Sequence, residues 1–324
     1  MRRYVVKRLL MMIPMLLGIS FLVYLLLEMA PIDPAMMFID IEMGPVTPEM
    51  ISYVRSSMGL DSPFLVRYVI WLGNLLRGNM GFSFLTRMPV TYEVGMRIGM
   101  TIRLSVISLT VSMITGVVFG VFSALRQYKV SDYIMTILAF IGISIPSFWL
   151  ALMLIIFFSN TLGWLPSIGL RDVQLRDPTV WQAFVDRTRH MIMPVIASSL
   201  AGIAANMRFM RAAYLDVARQ DYIRTARSKG LNETTISMRH ALRNASLPII
   251  TNLGMTLPAL IGGSLIIENI FGLPGMGRLF MTAITVGDYP VVMGITLVTA
   301  LLIMIGIFLA DIAYAIVDPR IRYS

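Results

Sequence analysis

The chain has 324 residues, 57% of them hydrophobic and only 14% charged, with a formal net charge of +9 and no cysteine. Soluble domains carry about 25% charged residues, so this composition is that of a polytopic membrane protein, and the basic balance reads as membrane topology rather than nucleic-acid binding. The missing cysteines exclude disulfide frameworks, thiolate metal sites and cysteine nucleophiles, and two histidines far apart, His190 and His240, argue against an imidazole metal cluster.

A bilayer crossing takes about 20 apolar residues at about 1.5 Å each. Six stretches qualify: 9–28, 101–125, 133–158, 191–212, 247–270 and 289–317. The first follows Arg2, Arg3, Lys7 and Arg8, as a signal peptide would. It is too long for one and has no small-residue cleavage site before Met29-Ala30-Pro31, so it reads as a retained helix. Lysine and arginine bias sets orientation. With the N-terminus in the cytoplasm, all three lysines (Lys7, Lys129, Lys229) and the arginine-rich segments around 126, 208–243 and 320–322 lie inside. Both termini are then cytoplasmic.

The first two spans are separated by a long external segment. Thr47-Pro48-Glu49 has the order of an N-cap, a proline at N1 and an acid in the first turn, and Gly59 is a suitable stop. A second helical pattern follows, with Phe64, Leu65, Tyr68, Val69, Trp71, Leu72, Leu75 and Leu76 on a broad apolar face. It either docks a partner or simply buries itself on the bilayer or the other spans.

Charges in or beside spans are costly and mark candidate sites. Arg103 and Arg208 sit where they can snorkel from helix ends. In the third span Pro146 removes a backbone donor and should kink the helix, while Ser144 and Ser147 can satisfy the freed backbone or line a polar path. In the fifth, Pro258 with Gly254, Gly262 and Gly263 makes an irregular, closely packing helix that either lines a cavity or only packs. Ser144, Pro146, Ser147, Met255, Pro258 and Glu268 are the candidate translocation-path or gate residues. Glu268 precedes the glycine-rich run 271–277; it either meets a substrate ammonium or pairs with Arg278. Asp311 in the last span is expected to pair with a basic group such as Arg208 or Arg126. The 27 methionines supply adaptable apolar surface and are given no metal role.

The polar run 221–248, DYIRTARSKGLNETTISMRHALRNASLP, lies between two apolar spans. Asp221, Arg224 and Thr225 share a helical face, and Ala226 permits close approach. Lys229-Gly230 is a helix end, a cation near the negative end of the dipole followed by a residue tolerant of the left-handed conformation. Asn232 can cap a second short helix with Glu233 in its first turn, and Ser246 can cap the next span, with Pro248 in its first turn. The result is a helical hairpin projecting into the cytoplasm with a short helix at its tip. A solvated basic loop, attracted to anionic lipid, is the plainer alternative. No G-x-x-x-x-G-K-[ST] phosphate loop is present, so the chain is not expected to bind ATP in the usual way.

This run resembles the "EAA loop" of binding-protein-dependent ABC importer permeases, and DYIRTARSKGL followed by HALRNA resembles the dipeptide/oligopeptide/nickel subgroup. Gly230 and Ala226 match the loop's glycine and second alanine; Arg224 and Thr225 replace its Glu and first Ala. Lys7-Arg8-Leu9-Leu10, 31–34 (PIDP), 78–83 (GNMGFS), 144–149 (SIPSFW), 268–277 (ENIFGLPGMG), 288–292 (DYPVV) and 318–322 (DPRIR) look like further signatures, so the likeness covers nearly the whole chain. It implies an all-α type I importer permease of MetI-like fold with six transmembrane helices. Residues 1–28 would be N-terminus and first helix, 29–94 the external segment, 95–317 the permease domain with coupling loop 213–246, and 318–324 the tail. The implied partners are a second homologous permease, two cytosolic ATPases that hold ATP and Mg, an external solute-binding protein and lipid; this chain itself binds no cofactor and has no catalytic residue. The resemblance gives the ATPase-coupling role to Asp221, Tyr222, Arg224, Thr225, Ala226, Lys229, Gly230, Leu231, Asn232 and Glu233. The expected cargo is di- or oligopeptide, with nickel chelates or oligosaccharides as alternatives in the same family. A secondary transporter or channel would prefer midplane charge pairs and internal repeats, and an intramembrane enzyme would need clustered acids, histidines or a cysteine.

Overall fold

The computed structural model describes residues 2–29, 35–36, 47–57, 59–246 and 265–317. Those residues form helices α1 (Arg2–Glu28), α2 (Pro48–Ser57), α3 (Phe64–Leu76), α4 (Val90–Leu125), α5 (Val130–Ser144), α6 (Ser147–Leu154) running into a π-helical stretch (Ile155–Thr161), α7 (Val180–Ala218) and α8 (Asp221–Ser228). They continue through α9 (Glu233–Thr235), a second π-helical stretch (Ile236–Leu242), α10 (Arg243–Ala245), α11 (Met276–Val286) and α12 (Tyr289–Val317). Among the described residues β pairing is confined to one bridge, Phe82 with Pro89.

Among the described residues four helices are long and apolar enough to cross a bilayer: Val6–Glu28 of α1, α4, α7 and Tyr289–Ile312 of α12. The expected spans 9–28, 101–125, 191–212 and 289–317 fall on them. α4 and α7 begin about a dozen residues earlier than hydropathy suggested. α7 gains its start from a capping box, in which Thr179 accepts from the Gln182 N–H and the Gln182 side chain accepts from the Thr179 N–H. The expected span 133–158 is a bent pair, Val130–Ser144 and Ser147–Thr161, with 102° between its halves. This is a change of direction rather than the kink expected. Pro146 excludes Ile145 from the helical region, so Ile145 is extended (φ −78°, ψ 120°) and α5 stops there. Of the expected span 247–270, residues 265–270 are helical and 247–264, with Pro248, Gly254, Met255, Pro258, Gly262 and Gly263, lie outside the described residues, as do 31–34 and 318–322.

The chain divides into two compact units: Met1–Met100 with Pro274–Leu302, and Thr101–Leu273 with Ile303–Ser324. In the first, α2 starts as its sequence predicts. Thr47 Oγ1 accepts from the Met50 N–H at 3.3 Å, and the helix ends at Gly59 (φ +67°). α3 lays its aromatic stripe on α1: Tyr68 and Phe64 pack against Phe21 and Tyr24 with ring centroids 5.3–5.8 Å apart, and Trp71 lies 5.4 Å from Tyr24. Ser20 and Tyr68 share a hydrogen bond of 2.8 Å, and Arg67 forms an ion pair with Glu28. The aromatic side of this helix thus packs on α1, while Leu65, Val69, Ile70 and Leu76 stay exposed.

The GNMGFS signature turns tightly beside the DYPVV signature. Ser83 Oγ donates to Asp288 at 2.5 Å, and the Leu85 N–H reaches the same carboxylate oxygen at 3.3 Å. Val90, Val94, Met276, Val291 and Ile295 form the apolar core beneath.

In the second unit α7 is the central post. α4 approaches so closely that a Cβ on Gly116 would fall 2.6 Å from Asn206 Cβ, and one on Gly120 2.6 Å from Met210 Cβ. Small residues at such crossings let helix backbones meet. The turn from α4 to α5 is fixed by Asp132, which is buried. Arg211 of α7 reaches it bidentately at 2.8 and 2.7 Å, the Tyr128 N–H at 3.0 Å, and the Ser123 hydroxyl completes the set. A buried carboxylate persists only when paired and hydrogen-bonded like this. Arg208 and Arg126 instead lie over the Phe140 and Phe122 rings, at 4.6 and 4.2 Å. Arg211, which the sequence did not single out, is thus the one that neutralises the buried acid beside it.

Candidate functional site: a basic hairpin packed on a long helix

The polar run breaks and restarts where Gly230 and Asn232 predict. Asp221 opens α8, and Gly230 ends it with φ +74°. The Leu231 N–H bonds to the Ala226 carbonyl at 3.3 Å and the Gly230 N–H to the Arg227 carbonyl at 2.9 Å, a Schellman pair that requires a left-handed residue between them. Asn232 Oδ1 accepts from the Thr234 N–H at 2.6 Å and starts the second helix. Across the break Arg227 holds Glu233 at 2.8 Å, and that carboxylate keeps the guanidinium above its ordinary pKa. The pair is exposed and contributes orientation more than stability.

The second helix passes from α9 into a π stretch rather than staying α-helical. A π turn inserts a residue into the register, and here it coincides with the packing face. Ile236, Ser237 and Ala241 are buried, and with Ile223 and Ala226 of α8 and Ala245 of α10 they close on Met210 and Tyr214 of α7 and Ala124 of α4. Tyr214 Oη and Ser237 Oγ share a buried hydrogen bond of 2.7 Å. Each fully buried aliphatic side chain here is worth about 1.5–3 kcal/mol, so the hairpin is clamped to the post.

The ten predicted coupling residues separate into two groups. Ala226 is buried and belongs to the clamp. Asp221 (98% exposed), Arg224 (78%), Tyr222, Thr225, Lys229, Gly230, Leu231, Asn232 and Glu233 face solvent. Asp221 and Arg224 do share a face, with 3.9 Å between their charged atoms. Met238 adds an exposed apolar side chain to Tyr222 and Leu231. Sequence reasoning missed Ile223, Ile236, Ala241, Tyr214 and Ser237; the spacing of Ile223 and Ala226 three apart was the available signal. Ser246, expected to cap the next span, donates backward to the Leu242 carbonyl at 2.7 Å.

Of the translocation candidates, Ser144 and Pro146 meet Phe140, Phe148 and Trp149 around an apolar cavity of about 520 Å³ at the α5–α6 break. Ser144 Oγ donates to the Phe140 carbonyl at 2.8 Å, and Ser147 opens α6 beside it. Glu268 is fully buried, its carbonyl accepting from the Leu273 N–H at 2.8 Å, and does not line that cavity. Met255 and Pro258 lie outside the described residues.

Long apolar helices with a broken span, and a polar hairpin packed against one of them, are the architecture of a multi-pass membrane protein. Residues 116–323 match the family described as binding-protein-dependent transport system inner membrane component, and residues 1–105 match its N-terminal counterpart. The chain is similar to the oligopeptide transport system permease protein AppB of Bacillus subtilis, 40% identical over 324 residues and the full length of both. It is also similar to the glutathione transport system permease protein GsiC of Escherichia coli, 36% identical over 324 residues and again the full length of both. The chain belongs to the binding-protein-dependent transport system inner membrane component family, the permeases of ABC importers.

Proposed function

We propose that this chain is the permease subunit of an ATP-driven importer for di- or oligopeptides and forms half of its translocation path. Peptide cargo is supported by relatives named for oligopeptide and glutathione transport, each alike over the full length of the chain. In this reading six helices cross the membrane with both termini cytoplasmic. Residues 1–28 are the N-terminus and first helix, 29–94 an external segment, 95–317 the permease domain and 318–324 the tail. A second homologous permease and two cytosolic ATPases complete the complex; ATP and Mg reside on the ATPases, and an external binding protein delivers solute.

The observation that carries the coupling role is the two-sidedness of the hairpin. One face is clamped to α7 through Ile223, Ile236 and the Tyr214–Ser237 bond, and the other presents Asp221, Tyr222, Arg224, Leu231 and Met238 to solvent. A rigid attachment with a mixed apolar and charged outer face suits a partner whose movement must reach the spans. The Tyr222→Ala/Leu231→Ala double variant removes only outer-face contacts. Co-purification of the ATPases should fall at least tenfold while membrane levels of the permease hold. ATPases retained at wild-type stoichiometry would refute docking at this face. Uptake of labelled tripeptide against a nickel chelate by the reconstituted importer decides the cargo.

A further inference from the structure

The segment between the π stretch and α7 builds a second site, unrelated to the hairpin. Residues between Ser159 and His190 line an open polar cavity of about 470 Å³, within the usual range of small-ligand pockets. Its wall is braced from within. His190 is buried, its Nδ1 3.2 Å from Asp186 Oδ1, and the other Asp186 oxygen accepts from the Asp172 N–H at 2.9 Å. Arg189 donates to the Trp164 carbonyl at 2.7 Å, and Gly169 donates to the Phe271 carbonyl at 2.8 Å, tying the loop down at two further points. Ser159, at the edge, belongs to the π stretch, a geometry frequent at functional sites.

These bonds occupy Asp186 and one donor of Arg189. Asp172 Oδ1 accepts from the Gln174 N–H at 2.8 Å, leaving its second oxygen for a ligand. Arg171 is exposed and in no ion pair among the described residues. The cavity therefore offers a guanidinium, a carboxylate oxygen and the Gln174 amide within four consecutive residues. A fork of donors suits a carboxylate, and an adjacent carboxylate suits an ammonium. A ligand carrying one sign only would meet repulsion from the other group.

We propose that this cavity binds short zwitterionic peptides, Arg171 holding the terminal carboxylate, Asp172 the ammonium and Gln174 the peptide amide. The inference rests on the peptide reading above and gives the permease a cargo contact of its own, apart from the delivering protein. A zwitterionic lipid headgroup shares this chemistry, and the test separates the two.

Equilibrium binding of labelled tri-alanine is measured on the assembled importer in phosphatidylcholine nanodiscs, with the solute-binding protein omitted. Saturable binding is expected, with N-acetyl-tri-alanine amide competing at least tenfold less well. Arg171→Gln and Asp172→Asn should each weaken binding roughly tenfold at unchanged thermal stability. Equal competition by the capped peptide, or wild-type binding by both variants, overturns the site. So does loss of the tripeptide signal when phosphatidylethanolamine replaces phosphatidylcholine, which would make the cavity a headgroup site. Tripeptide uptake with the binding protein restored keeps the two readings apart. Uptake without cavity binding sinks the site and leaves peptide transport standing, whereas no uptake sinks the transport reading whatever the cavity binds.

Discussion

Single residues decide how α7 is held at its hairpin end. Asp132 is fixed by Arg211 from α7, by Ser123 from α4 and by the Tyr128 N–H in the turn. Removing one partner strands the other, which costs about 3–5 kcal/mol for a buried pair, whereas removing both restores much of that. Asp132→Ala and Arg211→Ala should each lower the thermal stability of the purified protein sharply, and the double variant should lose less than the sum. Additive losses in this cycle would mean that the pair is not coupled. Neither residue stood out in the sequence: Asp132 resembles an ordinary first-turn acid of a helix, and Arg211 is one of many cations in a basic segment. Their partnership spans 79 positions, and no local pattern reports it. Asn232 and Gly230, by contrast, were legible because a cap and a left-handed stop act on backbone within a few residues.

At the scale of elements, the lengths of helices and the places where they meet are set by different terms. Hydropathy locates the apolar centre of α4, but the helix runs from Val90 because its start packs among Met276, Val291 and Ile295. The crossing of α4 on α7 depends on Gly116 and Gly120, where a side chain would collide with backbone and Cβ atoms. Gly120→Leu should force the helices apart and destabilise by about 1–3 kcal/mol, read as a lower midpoint of thermal unfolding in detergent. An unchanged midpoint would show that the crossing is looser than described. The α5–α6 break is an element-level fact with a residue-level cause. Pro146 was visible, but the size of the turn was not, because a proline only forbids the straight helix and neighbouring packing chooses the angle. The π stretch at Ile236–Leu242 was likewise unreadable, since its spacing matters only against the Tyr214 face it meets.

For the whole molecule, the proposed division of labour makes transport strictly dependent on partners. Tripeptide import into membrane vesicles should vanish when ATP is depleted and return when it is restored. Import that persists without ATP would point to a secondary transporter instead. By itself the sequence determined the class, because the energy of placing apolar residues in lipid and cations on one side is a sum over composition and order. It also determined the caps and breaks of the hairpin, since these are short-range backbone events, and its motifs sufficed to place the family. Only the tertiary structure decided which side of the hairpin is buried, that Ala226 serves the clamp rather than the outer face, and that Ser83 meets Asp288 across 205 positions. The reason is the same in each case. These are contacts between distant segments, and which segments meet follows from packing of the whole chain, a property that no local window of residues carries.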